Sequence, residues 1–167
     1  MKVVFNSSPL IFLSRLEFLD IFLYSADDFY LPNFVAEEIS AKSDAASQQV
    51  KALIDAEKIL VKEIQLLSLA NRLNMRLGRG ESEAIALGTE LQTDYIILDD
   101  FAARKEATRL GLNVKGTLAV IKKLQVDGKI TISCTDQLYQ DILAMNFRVK
   151  RWRSPPQASL FDAIFSD

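Results

Sequence analysis

The stretch Leu77–Asp100, LGRGESEAIALGTELQTDYIILDD, constrains this chain more than any other. Gly78 and Gly80 mark a turn, since glycine adopts backbone angles that cost other residues energy. From Glu81 onward, Ala84, Leu87, Gly88 and Leu91 recur at helical spacing. Tyr95-Ile96-Ile97-Leu98 is a short unbroken apolar run, the pattern of a strand covered on both faces of a parallel sheet. Such a strand ends at the carboxyl edge of the sheet, where open α/β folds hold their ligands, and here it ends in Asp99-Asp100.

Helix geometry sorts the two glutamates of the same stretch. At about 100° per residue, Ala84, Leu87, Gly88 and Leu91 form the sheet-facing stripe. Glu81 falls on the border of that stripe and is the better inward-facing candidate, whereas Glu83 is expected at the rim or in solvent. Both are also first-turn acids of the kind a helix dipole favours.

The rest of the chain repeats the alternation. Lys2–Phe5 predicts a buried first strand, followed by Asn6-Ser7-Ser8-Pro9, with a serine N-cap and proline at the first helical position. Helices are expected over 9–16, 19–24, 33–42, 43–57, 64–77, 101–110, 118–126 and 135–145. Short strands are expected at 29–31, 59–61 and 113–115, with an edge segment at 130–132. Gly111 is placed to end a helix. Short apolar strands alternating with helices predict an α/β fold, a three-layer α/β/α sandwich around a parallel sheet of about five strands.

Composition limits the chemistry. The chain of 167 residues suits one domain with a substantial core. It has one cysteine, Cys134, and no histidine. An intrachain disulfide, a Cys/His zinc site, a histidine base and a Ser-His-Asp triad are therefore excluded within one chain. Carboxylates, amides and hydroxyls remain, and they suit hard cations such as Mg²⁺ or Mn²⁺. The net charge of −2 gives no overall attraction to nucleic acid. One basic run, Phe147-Arg148-Val149-Lys150-Arg151-Trp152-Arg153, places Arg148, Lys150 and Arg151 beside a tryptophan and suits phosphate contact with base stacking. The apolar segment Leu10–Tyr24 is broken by Arg15, Glu17 and Asp20, which argues against a membrane span. With no signal-peptide pattern at Met1–Phe5, a cytoplasmic location is expected.

The polar residues at expected strand ends and helix starts are Asn6, Glu38, Glu81, Asp99 and Asp100. Clustered acids repel one another, and a divalent cation relieves that repulsion while activating water against a phosphodiester. In that context the chain resembles the PIN-domain superfamily, and within it the branch related to toxins of bacterial toxin–antitoxin modules. The resemblance rests on N-S-S-P-L-I at Asn6, P-x-x-V-x-x-E-I at Pro32–Ile39, G-R-G-E-S-E-A-I-A-L at Gly78–Leu87, L-D-D at Leu98–Asp100 and G-T-L-A-V at Gly116–Val120. It implies a PIN-like domain over 1–153 followed by a C-terminal tail, 154–167. It further implies a Mg²⁺- or Mn²⁺-dependent endoribonuclease with an antitoxin protein partner and a homodimeric state. Carried over by position, Glu38, Glu81 and Asp99 or Asp100 match the family's acids, Ser7 and Ser8 its hydroxyl, and Thr117 a substrate contact. Asn6 stands where the family has its first aspartate. A catalytically weakened domain that still binds RNA or a partner is the alternative within the family. A receiver-type phosphoacceptor fold expects paired acids after the first strand, where Asn6-Ser7 stands instead.

Overall fold

In a computed structural model of the chain, residues 1–25, 27–145 and 165 are described. They fall into two compact units, 1–117 and 118–167. The first unit holds the sheet. Five strands, β1 (Lys2–Phe5), β2 (Asp28–Pro32), β3 (Leu60–Lys62), β4 (Tyr95–Ile97) and β5 (Val114–Lys115), pair in the order β3-β2-β1-β4-β5. Every pairing is parallel, and the register sets Val3 beside both Phe29 and Tyr95.

That order decides where a ligand site belongs. The chain winds from β1 outward through β2 to β3, then returns to β4 on the other side of β1. The direction of winding therefore reverses between β1 and β4. A crevice opens at such a switch point, outside the carboxyl ends of the two strands. Asn6 follows β1, and Leu98-Asp99-Asp100 follow β4. The two ends are tied by the Asn6 amide N–H, which donates to the Ile97 carbonyl at 3.3 Å.

The helices of this unit are α1 (Ser7–Arg15), α2 (Leu19–Leu23), α3 (Asn33–Ser40), α4 (Ala45–Asp55), α5 (Leu67–Asn74), α6 (Arg79–Glu90) and α7 (Phe101–Arg109). They cover both faces of the sheet, completing the three-layer α/β/α sandwich. Strand alternation divides the core. Val4, Ile96 and Leu98 pack with Ala84, Ile85, Leu87 and Ala103 of α6 and α7. On the opposite face, Phe5 and Phe29 meet Phe22, with ring centroids 5.3–5.8 Å apart. α6 is the central helix: its residues Gly80–Gly88 are all buried.

Some boundaries differ from the sequence reading. α1 begins at Ser7 with Asn6 in the N-cap position, so Pro9 is the third helical residue. Proline is harmless there because the first N–H groups of a helix lack intrahelical partners. α5 begins at Leu67 and not at Ile64, because the Gln65 and Leu66 N–H groups both donate to the Glu90 carboxylate. Gly111 ends α7 as expected, at φ +86°. In the second unit, α8 (Thr117–Val126, whose first residue belongs to the first unit) and α9 (Thr135–Ala144) are present. The edge segment 130–132 is not a strand. The Ile130 N–H instead returns to the Leu124 carbonyl at 3.3 Å, closing off α8. Among the described residues no helix is long and apolar enough to cross a membrane. The basic run with Arg148, Lys150 and Arg151 lies outside the described residues.

Candidate active site

Asn6 is the centre of the crevice. It is 2% exposed, and although it holds the N-cap position its side chain makes no capping bond. The amide Nδ2 instead donates to Glu81 Oε1 at 3.4 Å, across a chain separation of 75 residues. With the NH₂ turned to Glu81, the carbonyl oxygen points the other way. That Oδ1 atom is buried and has no hydrogen-bond partner. A buried carbonyl oxygen left unpaired costs about 1–3 kcal/mol, so it marks a place where a donor or a cation belongs.

Two glycines make the room. A Cβ on Gly80 would stand 3.0 Å from Glu38 Oε2 and 3.3 Å from Asn6 Oδ1. A Cβ on Gly78 would collide with Glu81 Oε2. The G-R-G run is therefore a cradle whose missing side chains admit the carboxylate of Glu81 at Gly78 and, at Gly80, one oxygen from Asn6 after β1 and one from Glu38 of α3. Glu81 is 5% exposed and faces inward, as the helix geometry predicts.

Asp99 and Asp100 have separate duties. Asp99 is buried at the end of β4. Its Oδ1 accepts from the Thr117 backbone N–H at 2.7 Å and its Oδ2 from the Thr117 hydroxyl at 2.5 Å. Asp100 is the N-cap of α7, with Oδ2 accepting from the Ala103 N–H at 2.9 Å. Thr117, itself 1% exposed, orients Asp99 from the end of β5. Ser7 and Ser8 are half-buried in the first turn of α1, next in sequence to Asn6.

Glu83 corrects the sequence reading. It is 9% exposed, not solvated, and its Oε1 accepts from Arg79 Nε at 3.0 Å. The stripe argument assumes a helix with one wet face, whereas α6 is enclosed by α3, α5 and the sheet. Arg79 in turn lies 4.2 Å from the centre of the Phe34 ring.

Three site features escaped the sequence reading. Gly116 is close-packed, because a Cβ there would stand 3.2 Å from Asp99 Oδ1 and collide with the Arg104 guanidinium. Arg104 Nη1 donates to the Leu98 carbonyl at 3.3 Å, which brings this cation to the Asp99 side of the crevice. Phe101, beside Asp100, is 64% exposed. A single signal, an arginine one helical turn after the paired aspartates, was available for the first two.

The DUF3368 family model, described as a PIN domain, matches residues 2–156. The chain belongs to the PIN-domain family. No curated protein and no solved structure matches it. A PIN domain is a nuclease-type fold that ordinarily works with divalent cations on nucleic acid.

The residues of this PIN domain fit such a cation in an altered form. Among the described residues no group of three or more acids is arranged to hold a metal ion. The expected set of Glu38, Glu81, Asp99 and Asp100 is instead divided: Asp99 is engaged by Thr117, Asp100 caps a helix, and Glu81 is held against Gly78. The set that fits includes a neutral member. Asn6 Oδ1, unpartnered, faces the same gap as Glu38 Oε2, with Glu81 bonded to the other end of the amide. All are oxygen donors, the type that hard divalent cations prefer.

Proposed function

We propose that this PIN domain is a Mg²⁺- or Mn²⁺-dependent endoribonuclease that hydrolyses RNA phosphodiester bonds, the toxin of a toxin–antitoxin module. The observation that carries the reading is the buried, unpartnered Asn6 Oδ1 aimed with Glu38 Oε2 into the gap behind Gly80. Asn6 Oδ1 and Glu38 Oε2 would hold the cation, and Glu81, bonded to the amide Nδ2, would orient Asn6 and add its charge to the site. When bound, the cation supplies positive charge against the phosphodiester and lowers the pKa of water for attack. Thr117 keeps Asp99 fixed at the β4 end of the crevice through two hydrogen bonds, and Asp99 would serve there as a general base. Ser7 and Ser8 would meet the substrate backbone from α1. The toxin reading carries with it an antitoxin partner, a homodimer and a cytoplasmic location, and Arg148, Lys150 and Arg151 are proposed as further phosphate contacts.

Glu81→Gln tests this. It removes a charge, keeps the shape and leaves the Asn6 amide an acceptor. Cleavage of a labelled single-stranded RNA in Mn²⁺ is expected to fall at least a hundredfold while the far-UV spectrum and Tm change little. Millimolar Mn²⁺ is expected to raise the Tm of the unaltered chain, since a ligand of the folded state alone stabilises it. Cleavage that survives EDTA or Glu81→Gln overturns the reading.

A second reading follows from the amide. With one carboxylate fewer than the family pattern, the domain binds RNA but cuts it slowly. Retained RNA affinity with no turnover in Mn²⁺ is its signature.

A further inference from the structure

Phe101 and Arg104 stand at the mouth of the crevice, and the chemistry above uses neither. They open α7, three residues apart, so they share one side of the helix. Phe101 is 64% exposed at the first helical position, directly after Asp100. A phenylalanine left in water forgoes the burial its ring ordinarily gains. Arg104 is placed with equal specificity. Its guanidinium lies over Gly116, with Cζ 3.6 Å from where a Cβ would be, and Asp99 Oδ1 lies 3.2 Å from that same point. The missing side chain of Gly116 thus brings a cation and a catalytic carboxylate to one spot. Thr117 bonds both oxygens of Asp99 and holds the carboxylate in place there. Of the five N–H donors of a guanidinium, Arg104 commits Nη1 to the Leu98 carbonyl, and it makes no ion pair among the described residues.

We propose that Phe101 and Arg104 form a recognition lip for single-stranded RNA. Arg104 takes a phosphate beside Asp99, and Phe101 stacks the base of the neighbouring nucleotide. This rests on the ribonuclease reading and narrows it to unpaired substrate. In a duplex each base is stacked and paired within the helix, and no base face is free for Phe101. An exposed ring accepts any base, so the lip selects strandedness and not sequence.

The test is binding of a labelled oligouridine, and of the same strand without bases, to the full chain in EDTA. Phe101→Ala is expected to bind oligouridine about tenfold more weakly and the abasic strand unchanged, with Phe101→Tyr restoring affinity. Arg104→Gln is expected to weaken both strands alike and to lower the salt dependence of binding by about one counterion. In Mn²⁺, Phe101→Ala is expected to raise KM with little change in kcat. None of these variants is expected to move the Tm by more than a few degrees, which separates the lip from a merely structural helix start. The proposal is overturned if Phe101→Ala affects both strands equally or neither, or if duplex RNA binds as tightly as single strands. If the unaltered chain cuts RNA while these variants bind as it does, the lip alone fails. If the unaltered chain neither binds nor cuts RNA, the ribonuclease reading fails with it.

Discussion

Asn6→Asp restores the carboxylate that the PIN pattern has at the end of β1, and the structure gives the size of the effect. The change puts an oxygen where Nδ2 now donates to Glu81 Oε1, 3.4 Å away. Two unit charges at that distance repel by about 5 kcal/mol at an effective dielectric constant of 20. The protein avoids part of this by keeping the introduced carboxyl protonated. Holding a proton at pH 7 on a group whose unfolded pKa is about 4 costs about 4 kcal/mol, which sets the ceiling on the penalty. The folded-state pKa of the introduced group then lies above its unfolded value. Folded protein binds the extra proton, so the penalty is about 4 kcal/mol at pH 7, shrinks to about 1.5 kcal/mol at pH 5 and is gone near pH 3.

A divalent cation reverses the sign. It neutralises the repulsion and gains a charged ligand in place of a dipole, so Asn6→Asp is expected to bind Mn²⁺ more tightly and to cut RNA faster. The assay is thermal or urea unfolding of both proteins at pH 5 and pH 7, with EDTA and with millimolar Mn²⁺. In EDTA the variant is expected to melt about 10 °C below the parent at pH 7 and only a few degrees below it at pH 5. In Mn²⁺ the gap is expected to close. A penalty independent of pH, or an Mn²⁺ affinity unchanged by calorimetric titration, refutes the placement of residue 6 in the site.

Gly80→Ala separates stability from function. Alanine favours a helix over glycine by up to about 1 kcal/mol, and crowding of Glu38 and Asn6 offsets that gain, so the Tm is expected to stay within a few degrees while Mn²⁺ binding and cleavage fall at least tenfold; full activity would show that the gap behind Gly80 is not the site. Tyr95→Phe acts outside the site. The Tyr95 hydroxyl is buried with no partner, so its removal is expected to stabilise the fold by about 1 kcal/mol in denaturant titrations, and a loss of stability would refute the assignment. Burial, with Asp27 and Asp94 nearby, pushes this phenol up to about 12, so stability is expected to fall as pH rises from 10 to 12 in the parent and not in Tyr95→Phe.

The sheet was legible because parallel strands buried on both faces leave no alternation to misread: Tyr95–Leu98 and Val3–Phe5 are runs of hydrophobic residues, and all of them are buried. Element ends were less legible, because they depend on partners distant in the chain. No local signal places the Glu90 carboxylate on the Gln65 and Leu66 amides, just before the start of α5. The site divides in the same way. Glu81, on the edge of the apolar stripe, was legible from helix geometry, whereas Glu83 was not, since the enclosure of α6 is tertiary. The separate duties of Asp99 and Asp100 were half legible: Asp100 immediately precedes a helix of good formers, where aspartate is a favoured cap. Asp99 is distinguished from it only by Thr117, 18 residues on.

The glycines show why a motif of this kind resists reading as turn chemistry. Neither Gly80 nor Gly116 has a left-handed backbone angle, which only Gly111 and Gly128 show among the glycines. Conformational freedom therefore does not explain them. What each excludes is a Cβ at a point where side chains from separate elements meet: Asn6 at the N-cap of α1 and Glu38 of α3 at Gly80, Asp99 and Arg104 at Gly116. Both points lie around the crevice between the carboxyl ends of β1 and β4, where the winding order reverses. The fold leaves that crevice open, and absent side chains set how closely the polar groups around it approach. An alanine at either position keeps the sheet and changes the spacing of the charges, which are the part of the molecule that a phosphodiester would meet.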